Sequence, residues 1–111
     1  MYKRQGKTGH FTRAKGFDTF CPLGPFIQTE FTNNPELNIK AFVNGELKQD
    51  GNSRDMIYSI GEILEFVTSI MTLLPGDVVM TGTPEGVSQV KPGDEIKIEI
   101  ETLGTLINSV E

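Results

Sequence analysis

The chain has 111 residues, a formal net charge of -5, 37% hydrophobic and 23% charged residues. That composition fits one folded domain with a modest core and excludes a disordered chain. An acidic balance, with no dense basic stripe beyond Lys3, Arg4, Lys7, Arg13 and Lys15, excludes a nucleic-acid surface built on phosphate neutralisation.

The lone Cys21 allows no intrachain disulfide, and no apolar run reaches membrane-spanning length. A cytoplasmic protein with no membrane partner is the expectation. Residues 1–5, "MYKRQ", show neither apolar periodicity nor turn chemistry, and back-translate with a GTG start into adapter-like DNA. They are expected to be a non-native leader, with the chain proper running over 6–111.

The stretch from Phe17 to Thr32 reads as a loop entering a strand near Pro25 to Thr29, with Pro22 and Pro25 at turns or edges. "LNIKAFV" alternates Leu37, Ile39, Ala41 and Val43 on one side, Asn44-Gly45 turns the chain, and "ELKQDGN" returns. Asn-Gly between two such runs predicts a type I′ hairpin, whose two central residues both need positive φ. Ser59 and Glu62 form an S-x-x-E capping box. Ile60, Ile63, Leu64, Val67, Ile70, Met71 and Leu74 then keep helical spacing until Pro75-Gly76 ends the helix. "DVVMTG" predicts a short strand, and "EIKIEIE" another with Ile96, Ile98 and Ile100 inward; "LGTLINSV" predicts a last one. Pro-Gly-Asp recurs at 75–77 and 92–94, and each triplet predicts a similar turn, with proline second and glycine third, launching a strand. The predicted class is α+β, mainly β, with one amphipathic helix.

Most local motifs favour plain structural roles. Cys21 precedes a proline in an apolar stretch and reads as a small buried hydrophobe rather than a nucleophile paired with His10. "DGNSRD" fails as a calcium loop, because the position eleven after Asp50 is Gly61 where a bidentate glutamate is required. "TGTPEG", Thr81 to Gly86, lacks the Walker lysine; its hydroxyls and backbone N–H groups could hold a carboxylate, but a plain turn is the better reading. Lys15 and Thr19 offer an ammonium and a hydroxyl suited to a developing enolate, beside the simpler reading of a loop lysine.

Taken together, "FTRAKGFDTFCPLGPFI", "VNGELKQDGNSRDMIYSIGEILEFVTSIMTLLPGDVVMTGTPEGV" and "VKPGDEIKIEIETLGTLIN" resemble the fumarylacetoacetate hydrolase family, over the C-terminal half of its catalytic domain. The likeness is to acylpyruvate and fumarylpyruvate hydrolases and to isomerase/decarboxylases of homoprotocatechuate breakdown. It implies a mixed β-sandwich roll, a homodimer, and Mg²⁺ or Mn²⁺ held by a Glu-x-Glu pair and an aspartate. Those carboxylates are expected upstream of residue 1. Glu99 and Glu101 form an E-x-E, but on an outward face and in the wrong region. By resemblance, Lys15 is the catalytic residue and lies with Thr19 beside the metal, and Thr83 contacts substrate. Gln5 falls at the offset of a substrate-side glutamine, ten residues before the lysine. The implied activity is metal-dependent hydrolysis of a C–C bond in an acylpyruvate-type 1,3-dicarbonyl, in aromatic-compound catabolism. The alternatives are 2-hydroxyhepta-2,4-diene-1,7-dioate isomerase/decarboxylase chemistry and a non-catalytic β-rich fragment. The isolated chain is expected to be inactive.

Overall fold

A computed structural model describes residues 12, 15–30 and 35–111. Its framework is a four-stranded sheet in the order β2-β1-β3-β4, formed by β1 (Asn38–Val43), β2 (Glu46–Asn52), β3 (Glu95–Ile100) and β4 (Gly104–Ser109). Every neighbouring pair is antiparallel. The helix α1 (Ile60–Ile70) lies between β2 and β3 in the chain. The class is mainly β with one amphipathic helix, as the periodicities predict.

The hairpin forms where Asn-Gly predicts it. Asn44 and Gly45 have φ of 52° and 80°, the paired left-handed conformation of a type I′ turn. Asn44 also ties the turn to the next strand. Its side chain accepts from the Glu95 N–H at 2.9 Å and donates to Asp94 at 2.8 Å. At the opposite end of the sheet, Asn52 donates to Asn38, and Asn38 donates to Glu101, both at 2.6 Å. Asn52 also accepts from the Arg54 N–H, capping the 3-10 turn Ser53–Asp55. "DGNSRD" is therefore the end of a strand followed by a capped turn.

The alternating isoleucines share one face. Ile39, Ala41 and Val43 stand opposite Ile100, Ile98 and Ile96, and Ile98 in turn opposes Leu106. The other face carries Phe42 beside Lys97, whose ammonium sits 4.3 Å from the ring centroid and also pairs with Glu99 at 2.8 Å. Pairing between β1 and β2 is not regular. Ala41 opposes Gln49 while Phe42 opposes Leu47, so Lys48 is an extra residue in a β-bulge.

Three expectations need correction. The helix stops at Ile70 rather than continuing to Leu74; Met71 is extended, with φ of -142° and ψ of 151°. The Leu74 N–H, which a longer helix would give to the Ile70 carbonyl, is held by Asp77 at 2.7 Å and cannot extend the ladder. The residue before a proline also disfavours helical backbone. The segments 25–29 and 77–82 are not strands. Val78 and Met80 have strand character but no neighbouring strand among the described residues, and a strand exists only by pairing. Cys21 is exposed rather than buried.

The two Pro-Gly-Asp turns are built alike. In each, the Asp N–H donates to the carbonyl of the residue before proline at 3.0 Å, and the Asp carboxylate accepts that residue's N–H at 2.7 Å. Only the second launches a strand. Asp94 receives a further bond from Asn44, and together with the Lys91 N–H this holds its carboxyl below the ordinary aspartate range. The capping box is also present: Ser59 accepts from the Glu62 N–H at 3.2 Å, and the Glu62 carboxylate accepts from the Ser59 N–H and from the Ser59 hydroxyl, both at 2.8 Å, which together hold that carboxyl below its ordinary range.

Both folded-state values are depressed, so the stabilisation they contribute is complete above the unfolded carboxylate range of about 4 and is lost as pH falls through the folded values. Acid unfolding followed by circular dichroism should therefore flatten below about pH 4 in Asp94→Asn and Glu62→Gln relative to the parent. A second expectation concerns Gly86, with φ of 96°, where an added Cβ would lie 1.9 Å from the Lys48 carbonyl oxygen. A Cβ on Gly82, with φ of 102°, would meet nothing within 4 Å among the described residues. Gly82→Ala should cost about 1–2 kcal/mol in urea unfolding, and Gly86→Ala distinctly more.

Candidate functional site over the apolar face of the sheet

The register sets the stage. Gln49, Ala41, Ile98 and Leu106 form one cross-strand row, with neighbouring strands about 4.8 Å apart and the row about 14 Å long. Each end carries a segment that the sequence marks as a candidate.

At the Gln49 end lies "TGTPEG". The Gln49 side-chain nitrogen shares its two hydrogens among three acceptors, the Thr83 hydroxyl at 2.8 Å, the Pro84 carbonyl at 2.8 Å and the Glu85 carbonyl at 3.2 Å. The Thr83 hydroxyl lies 3.1 Å from the Gln49 Oε1, to which it can donate. The loop seats closely because two glycines make room. A Cβ on Gly51 would meet Pro84 at 3.1 Å, and one on Gly86 would meet the bulged Lys48 carbonyl. A strand edge and a glycine-bearing loop are thereby pressed together, with the threonine hydroxyl held at the sheet surface.

At the Leu106 end, Gly24, Pro25 and Phe26 lie over Ile98, Ile100, Leu103, Gly104 and Leu106, leaving a cleft of about 80 Å³. The peptide Gly24-Pro25 is cis. Lys15 and Thr19 belong to the run leading into this segment; neither they nor Thr83 line the cleft. Lys15 has helical backbone and an exposed side chain, and Gly16 follows it closely enough to Thr12 that an added Cβ would lie 2.6 Å from the Thr12 carbonyl oxygen. The glycine beside the lysine is thus a matter of space.

Thr19 sits in a turn closed by the Phe20 N–H donating to the Phe17 carbonyl at 3.1 Å, with the two phenylalanine rings packed edge to face at 5.3 Å. Its φ is 66°, a left-handed conformation that a β-branched residue seldom adopts. Strain of this kind costs roughly 1–3 kcal/mol and concentrates where function fixes a side chain.

Gln5 and His10 lie outside the described residues. The Glu99–Glu101 pair is engaged elsewhere: Glu99 with Lys97 and Glu101 with Asn38. Among the described residues, no group of three His, Cys, Asp or Glu side chains is placed to hold a metal. A protonated lysine has no lone pair to offer and a neutral threonine hydroxyl is a weak ligand, so these residues do not fit as a primary ligand set. No described helix is long and apolar enough to cross a membrane. Gln49 was not marked by any sequence motif. In regular hairpin register Lys48 would oppose Ala41 and Gln49 would fall on the other face; only the bulge brings it under Thr83.

The solved structure of 2-hydroxyhepta-2,4-diene-1,7-dioate isomerase from Mycobacterium marinum is 46% identical and superposes with a TM-score of 0.91, over 98% of this chain and 43% of that one. Maleylpyruvate hydrolase from Sphingobium sp. SYK-6, solved with manganese(II) and pyruvate, is 43% identical with a TM-score of 0.78, over 85% of this chain and 36% of that one. A mitochondrial oxaloacetate tautomerase of Homo sapiens is 41% identical over 117 aligned residues, 97% of this chain and 37% of the relative. The chain spans less than half the length of the curated relatives it matches. The model for the fumarylacetoacetate hydrolase C-terminal domain matches residues 1–111. With that match joined to the shared fold, the chain belongs to the fumarylacetoacetate hydrolase family.

Proposed function

We propose that the protein carrying this chain hydrolyses a C–C bond in an acylpyruvate-type 1,3-dicarbonyl acid. The observation that carries the reading is the maleylpyruvate hydrolase likeness, a structure with pyruvate bound, taken with the strained Thr19 four residues after Lys15. In the proposed reaction, water adds to the acyl carbonyl and the adjoining C–C bond breaks. Its electron pair passes to the pyruvate fragment as an enolate, which then takes up a proton. The acyl fragment leaves as a carboxylic acid.

Lys15 is assigned to the oxygen on which the enolate charge grows. An ammonium there acts more strongly on the transition state than on the neutral ketone, which is the condition for raising kcat. Thr19 is assigned to the same oxygen, and Thr83 to the substrate carboxylate, with Gln5 on the substrate side. Lys15, Thr19 and Thr83 would then close on one pocket over the apolar face. A divalent cation, Mg²⁺ or Mn²⁺, supplies Lewis-acid polarisation when bound; its carboxylate ligands are assigned to the part of the protein this chain does not span. The whole protein is taken to be a cytoplasmic homodimer without nucleic-acid or membrane partners, in aromatic-compound breakdown.

A second reading, isomerase or decarboxylase action on a hydroxyheptadienedioate, is favoured by the wider superposition on the Mycobacterium marinum isomerase. It also passes through an enolate and uses Lys15 in the same way. Turnover of acetylpyruvate and fumarylpyruvate against the dienedioate, measured on the full-length protein, separates the two.

Lys15→Met should lower kcat by about 10²–10³-fold with the divalent ion still bound; an unchanged kcat would remove the lysine's assigned role. Thr19→Gly should raise the melting temperature by relieving the left-handed backbone, worth about 1 kcal/mol, while lowering kcat. A stability gain with kcat unaltered would count against the hydroxyl's role.

A further inference from the structure

The Gln49 amide faces two backbone carbonyls, of Pro84 and Glu85, as well as the Thr83 hydroxyl. Carbonyl oxygens only accept, so the side-chain nitrogen must be the atom turned to the loop, and a carboxylate in its place would repel them. The same nitrogen fills one lone pair of the Thr83 oxygen at 2.8 Å. A hydroxyl that accepts from an N–H cannot aim its hydrogen at that N–H. Its hydrogen is left either to the Gln49 Oε1, 3.1 Å away, or to a ligand. Oε1 thus offers a resting acceptor, at a distance longer than the 2.8 Å of the anchoring bond. The bulge at Lys48 puts this amide on the apolar face, and Gly51 and Gly86 let the loop come down onto it.

We propose that Gln49 is a positioning residue that orients the Thr83 hydroxyl as a hydrogen-bond donor to the carboxylate of a bound α-keto acid. This rests on the assignment of Thr83 to the substrate carboxylate made above. A hydrogen bond to a charged group is among the stronger ones a side chain makes, so its loss is measurable in affinity.

The test is calorimetric titration of the full-length, Mn²⁺-loaded enzyme with pyruvate, in a double-mutant cycle of Gln49→Ala and Thr83→Val. Each single substitution should weaken pyruvate about tenfold or more. The double substitution should be no weaker than the poorer single one within about twofold, because both remove one interaction. Gln49→Met, which keeps length and bulk without polar atoms, replaces the alanine variant in the cycle if that variant fails to fold. Additive losses would make Gln49 an independent structural residue and overturn the proposal while leaving the Thr83 assignment intact. Unchanged affinity in the Gln49 variants would overturn it equally. If Thr83→Val binds pyruvate as the parent does, or the parent does not bind it, the Thr83 assignment falls and the proposal with it.

Discussion

The irregularity at Lys48 is the constraint on which the candidate site depends. A strand's side chains alternate faces, so one extra residue changes which of them look toward the apolar side. With the bulge, Glu46 opposes Val43 next to the turn and Gln49 opposes Ala41 further along, both on the isoleucine face. The bulged carbonyl of Lys48 is also the group against which Gly86 packs. One local departure from regular pairing therefore supplies both the amide that grips the Thr83 loop and the backbone on which the loop rests. It occurs on β2, an edge strand among the described residues, where an extra residue disturbs a ladder on one side only.

Polar side chains do much of the remaining work of holding loops to the sheet. The reciprocal bonds of the two Pro-Gly-Asp turns close them without side-chain packing. Asn44 and Asp94 bind the hairpin turn to the start of β3, and the Asn52–Asn38–Glu101 chain binds three strand ends at the other side. These contacts are exposed, so each contributes modestly; their value lies in fixing register and approach. Register in turn fixes which side chains share the Gln49–Ala41–Ile98–Leu106 row.

Apolar surface is conspicuous on this chain. Ile57 is 93% exposed, and Phe66, Ile70, Met71, Leu74 and Met80 are also exposed. The helix keeps its stripe at Ile60, Ile63 and Val67 half-buried, while much of its remaining apolar surface meets solvent. An amphipathic helix gains most of its stability from burying such surface. The relatives this chain matches are more than twice its length, so their folds contain backbone that this chain does not.

Local chemistry was readable from the residues alone wherever it depends on neighbours in the chain. Asn44-Gly45 dictates a type I′ turn through its need for positive φ, and Ser59 with Glu62 dictates a helix start through two reciprocal hydrogen bonds. Proline, glycine and aspartate in that order dictate a turn, and alternating isoleucines dictate a two-faced strand. The motifs around Lys15, Thr19 and Thr83 pointed to a family for the same reason, since they are contiguous. What needed the tertiary structure is everything set by pairing. The segments 25–29 and 77–82 have strand-like composition but no strand beside them among the described residues, and composition cannot reveal a missing neighbour. The helix end at Ile70 reflects the capture of the Leu74 N–H by Asp77, which apolar periodicity does not register. Gln49 was invisible for the plainest reason: its face depends on a bulge, and a bulge exists only between two strands.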